Sequence, residues 1–89
     1  SEDPPPGTVL VVEDEPALRA LVTRILTRAG YTVLAAERGP EAIALAQSHP
    51  GAIDLLLTDV VMPGINGFVL AEHLRAIRPS VRVLMMTGY

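Results

Sequence analysis

The sequence contains no cysteine and no lysine, and each absence removes a class of chemistry. Without cysteine there are no disulfide staples and no thiolate metal ligands, which fits a reducing, cytoplasmic compartment. Without lysine, every basic residue is an arginine: Arg19, Arg24, Arg28, Arg38, Arg75, Arg78 and Arg82. No apolar run approaches the ~20 residues that cross a bilayer, and no signal-peptide pattern opens the chain. No membrane association is therefore expected. Positive charge is also in short supply. The net charge is −3, which argues against a nucleic-acid-binding surface. What the chain does have is hydrophobic residues at 49% of its 89 positions. That is enough for one globular domain, at the small end of what can bury its own core.

Residues 1–7 (Ser-Glu-Asp-Pro-Pro-Pro-Gly) are polar and proline-rich and read as a flexible linker or tail. The domain is expected over residues 8–89. Its first strand is the β-branched run Thr8–Val12, continuous as in a strand covered on both faces. Pro16 suits the first turn of a helix, with Asp14 and Glu15 near its positive end and Gly30 as its stop. Leu18, Leu21, Val22, Ile25, Leu26 and Ala29 repeat at helical spacing and form one apolar stripe. Thr32–Ala36 reads as a second strand. Pro40 opens a second helix with Ala42, Ile43, Leu45 and Ala46, closed by Pro50-Gly51. A third strand over Asp54–Thr58 ends at Asp59. Turn residues Met62 to Gly67 lead into a third helix, with Phe68, Leu70, Ala71, Leu74 and Ile77 expected inward. Val81–Met86 is the fourth strand.

Alternating strands and helices imply a doubly wound parallel sheet with right-handed crossovers and helices on both faces, counted as (βα)3β. Such sheets bind ligands at the carboxyl ends of their strands. Here Glu13 and Asp14 follow the first strand and Asp59 follows the third, so neighbouring strands would bring these acids together. Crowded carboxylates raise one another's pKa, and a hard divalent cation relieves the repulsion. A Mg2+ site built around Asp59 is the expectation. The alternative is a row of solvated loop acids. His49 and His73 lack a second ligand at helical spacing, and Met62, Met85 and Met86 read as core filler.

Four features together resemble the receiver domain of bacterial two-component response regulators. They are Glu13-Asp14, Asp59, the Met62-Pro63-Gly64 turn running to Gly67, and Thr87-Gly88 after the fourth strand. Val-Val-Glu-Asp-Glu-Pro and Met-Thr-Gly-Tyr look most like receivers attached to hybrid sensor histidine kinases. The resemblance implies a flavodoxin-like sheet of strand order 2-1-3-4. It implies Asp59 as phosphoacceptor, Thr87 as switch hydroxyl, and Mg2+ held by Glu13, Asp14, Asp59 and the Val61 backbone carbonyl. The implied partner is a histidine kinase, in the same polypeptide or another, and the domain catalyses only its own phosphorylation and dephosphorylation.

The family also places a lysine at the end of a fifth strand and an aromatic within it. Neither has a match here, so a domain lacking its C-terminal part is expected, with an exposed fourth-strand edge prone to dimerise or swap. The alternative in another class is a pseudo-receiver, an interaction module independent of phosphorylation. A haloacid-dehalogenase-like phosphatase ranks below both, because its Asp-x-Asp motif should stand where Glu13-Asp14-Glu15-Pro16 does.

Overall fold

Strands and helices alternate without exception in the computed structural model, which describes residues 7–86. The order is β1 (Thr8–Val12), α1 (Pro16–Arg28), β2 (Thr32–Ala36), α2 (Gly39–Ser48), β3 (Leu55–Asp59), α3 (Gly67–Ile77) and β4 (Arg82–Met86). The readings made of Ser1–Pro6, Thr87, Gly88 and Tyr89 lie outside the described residues. The strands form one parallel sheet in the order β2-β1-β3-β4, as the resemblance implied. Val11 pairs with Ala35 on one side and Leu57 on the other, so β1 is fully laddered and central.

Local chemistry places the helix ends. Glu15 caps α1 by accepting a hydrogen bond from the Ala17 amide at 3.0 Å, and Pro16 occupies the first turn. Past α1, Gly30 takes a φ of +101°, a left-handed conformation that glycine adopts without a Cβ penalty. Asn66 caps α3, its Oδ1 accepting from the Val69 amide at 2.9 Å. Arg78 just past α3 donates to the carbonyls of Ala46, His49 and Gly51. It thereby satisfies the loose end of α2 and ties it to α3.

Side chains alternate across the sheet. Leu10, Val12, Ala36 and Leu56 point to the face covered by α2 and α3, where they meet Ala42, Ala46, Leu70, Ala71 and Leu74 in one buried cluster. The opposite face carries α1 alone, seated on β1 and β2. Val9 and Val11 are buried there, but Leu55 and Leu57 are half-buried and Leu84 is 56% exposed.

Apolar spacing and burial part company on two helices. The α1 stripe is covered only in part: Val22 and Leu26 are half-buried, while Leu18, Leu21, Ile25 and Ala29 are exposed. The stripe is wider than the strip of sheet that α1 sits on. Phe68 was expected inward and is 60% exposed. The inward positions of α3 are Gly67, Leu70, Ala71 and Leu74, and Phe68 lies about 100° around the helix from Gly67.

Candidate functional site

Parallel pairing of β1 with β3 sends both strands out at the same edge of the sheet. Val12 stands opposite Thr58, so the next residues along, Glu13 and Asp59, emerge side by side. Carboxylate oxygens of Glu13, Asp14 and Asp59 lie within 4.8 Å of one another. Glu13 is buried, and Asp14 and Asp59 are half-buried.

Glu13 is fixed at several points. Its amide donates to Ala36 O at 3.1 Å, prolonging the β1–β2 ladder by one residue. Its Oε2 accepts from the Glu15 amide at 3.0 Å, and Arg19 Nη1 donates to its carbonyl at 2.9 Å. Burial pushes the Glu13 carboxyl above the usual glutamate range. The bond from Glu15 opposes that push, while the charges of Asp59 and Asp14 add to it.

Asp59 is positioned by its neighbours' backbone. The Val60 amide donates to Met86 O at 3.3 Å, and the Val60 carbonyl accepts from Gly67 N at 2.8 Å. A Cβ at Gly67 would collide with the Asp59 carbonyl oxygen and the Val60 Cα, so the start of α3 can press on the end of β3 only through glycine. Thr58, wholly buried beneath, donates from Oγ1 to Asp59 O at 3.0 Å. Val61 lies in the following loop and is 79% exposed.

These donors suit magnesium. All are hard oxygens, and Mg2+ bonds of 2.0–2.1 Å put opposing ligand oxygens about 4.2 Å apart, a little inside the observed limit. The structure thus brings together Glu13, Asp14 and Asp59, three residues singled out from sequence. It also shows one contributor that the sequence did not flag, Arg19, and a closer role for Gly67 than that of a turn residue. Arg19 sits one turn into α1, where its reach back to Glu13 has no motif. Gly67 read as turn chemistry, and its role as a spacer depends on how closely α3 approaches β3.

Comparison with known proteins places this arrangement. The model of the response regulator receiver domain matches residues 9–89. The sensor kinase CckA of Brucella abortus is 40% identical over 93% of the chain, which spans 9% of that kinase's length. The crystal structure of the receiver domain from hybrid histidine kinase CckA superposes with a TM-score of 0.87 at 43% identity, covering 93% of this chain and 77% of that one. The response regulator TrrA from Thermotoga maritima, solved in complex with Mg2+ and BeF, gives 0.78 at 36% identity, covering 93% and 70%. The chain therefore belongs to the response regulator receiver domain family, and it is a phosphoacceptor signalling domain of two-component systems. No helix among the described residues is long and apolar enough to cross a membrane.

Proposed function

We propose that Asp59 is the residue that accepts the phosphoryl group, in a Mg2+-dependent reaction with the phosphohistidine of a histidine kinase as donor. The observation that carries this is the convergence of Asp59 with Glu13 and Asp14 at the end of β3. An Asp59 carboxylate oxygen attacks phosphorus and forms the O–P bond. The P–N bond to the donor imidazole breaks, and its electron pair returns to the nitrogen. A carboxylate needs no general base for this, so the chain's work is positioning.

Glu13, Asp14, Asp59 and the Val61 carbonyl are the proposed Mg2+ ligands, with Glu13 acting partly through water. When bound, the ion screens the negative charge of the nucleophile and orients the phosphoryl oxygens. Arg19 holds the Glu13 peptide in place, and the Val60 clamp to Met86 and Gly67 keeps Asp59 from swinging away. The solved complex of TrrA with Mg2+ and BeF supports the metal by analogy.

Thr87, by its position after β4, is the proposed switch hydroxyl. Residues 1–7 are proposed as a linker and 8–89 as the receiver, working in the cytoplasm and catalysing only its own phosphorylation and dephosphorylation. The match to CckA favours a kinase of the hybrid type as partner.

Intact mass after incubation with a small phosphodonor tests the assignment. A single Mg2+-dependent phosphoryl addition, lost in Asp59→Asn, is the expected result. Labelling that persists in Asp59→Asn at equal stoichiometry would move the acceptor elsewhere. A folded chain that does not label, even when extended by the family's fifth strand and its lysine, would instead make it a pseudo-receiver.

A further inference from the structure

Charge is unevenly shared in this molecule. Helix α1 carries Arg19, Arg24 and Arg28 and no acid, within a chain of net charge −3. The helical turn gathers these arginines on one flank with Ala20, Thr23 and Thr27, and Ala35 of β2 forms the opposite wall. Between them runs an open groove of about 480 Å3. Arg19 spends one nitrogen on the Glu13 carbonyl. Among the described residues the only ion pair is Arg38 with Glu37, so no groove arginine has an acidic partner there. Thr23 Oγ1 is buried in the same flank without a hydrogen-bond partner.

The shape of the groove favours a particular occupant. Its lining runs from Pro16 to Arg28, about 18 Å along the helix axis at 1.5 Å per residue. That length matches three turns of a second helix and exceeds what a single phosphate or carboxylate fills. Small side chains (Ala20, Thr23, Thr27 and Ala35) form the middle and let another backbone come close, while the arginines stand at the margins. Arg24 and Arg28 are four residues apart and repel each other on the free helix. Acids at the same spacing on a partner helix would relieve that repulsion and pair with guanidinium groups in fork geometry.

We propose that the groove between α1 and β2 is a docking surface for an acidic amphipathic helix of a partner protein. It lies on the flank of α1 away from the exposed Leu18, Leu21 and Ile25, and Arg19 is the one lining residue that also reaches the acidic site. Charge complementarity selects the partner: a helix with a small-residue face and carboxylates at i and i+4.

The test titrates the full 89-residue chain with a helical peptide bearing glutamates at i, i+4 spacing beside an alanine face, followed by backbone amide shifts. Shifts confined to α1 and β2, weakening with salt and falling about tenfold or more in affinity in Arg24→Glu/Arg28→Glu, are expected. Arg24→Gln/Arg28→Gln, gentler on folding, should lose part of that affinity. Asp59→Asn should bind as well as the parent, which separates this surface from the phosphoacceptor reading. Affinity unchanged by charge reversal, or shifts centred on Leu18, Leu21 and Ile25, would overturn the proposal. So would full competition by inorganic phosphate, which would make the groove a small-anion site.

Discussion

The two faces of the sheet are built from the same alternating strands but are finished differently. On the α2/α3 face, Leu10, Leu56, Leu70 and Leu74 are wholly buried and interlock with small alanines. On the α1 face, burial is complete only under the helix, at Val9 and Val11, and Leu84 stays open toward β4. Strand hydrophobicity therefore says that both faces could be covered. How much of each face is covered depends on how many helices return to it, and here two return to one face and one to the other.

The sharpest contrast comes from truncating one leucine on each face. Leu56→Ala should cost about 2–5 kcal/mol, the usual range for a cavity in a closed core. Leu84→Ala should stay within about 0.5 kcal/mol, as for a surface change. Urea denaturation of both variants measures the difference, and equal losses would mean that the α1 face is covered in solution.

Gly67→Ala probes the junction of the closed face with the site. The added Cβ must displace the Asp59 carbonyl or Val60, at about 1–3 kcal/mol of overpacking. It should lower both stability and Mg2+ affinity, whereas Leu84→Ala should leave Mg2+ affinity alone. Calorimetric titration with Mg2+ reads this directly.

Mg2+ and pH act on the site edge shared by both faces. At a hundredfold excess over its Kd, Mg2+ should stabilise the fold by about 2.7 kcal/mol. Without metal, the raised Glu13 carboxyl means that the folded chain holds its proton more tightly than the unfolded chain does. As pH rises through the window between the ordinary glutamate value and the raised one, the unfolded state ionises first, and the metal-free fold loses stability. Glu13→Gln should flatten that loss and weaken the Mg2+ effect. Thermal melts across this window, with and without Mg2+, provide the check.

A smaller loss than in the closed core is expected at the cap of α3. Asn66→Ala removes the acceptor for the Val69 amide and should cost about 1 kcal/mol by urea denaturation. Alongside these, the open face and the β4 edge should make the 89-residue chain self-associate. Sedimentation should show concentration dependence, reduced in Leu84→Arg; a concentration-independent monomer would contradict it.

Much of this was legible in residue order. Thr8–Val12, Pro16 and Gly30 mark elements by backbone rules that act over a few residues, and the elements fall within a residue of where those rules put them. Acids at the ends of two parallel strands had to meet at one edge once β1 and β3 became neighbours, so Glu13, Asp14 and Asp59 could be named in advance.

Tertiary structure alone decided the rest. Periodicity groups Leu18, Leu21, Val22, Ile25 and Leu26 on one stripe, but only the width of sheet beneath α1 determines which of them lose water. Phe68 is outward because α3 meets the sheet through Gly67 and Leu70, and hydrophobicity does not report the angle of approach. Arg19 and Gly67 serve the site through a reach of one side chain and the lack of another, distances that exist only after the helices have docked.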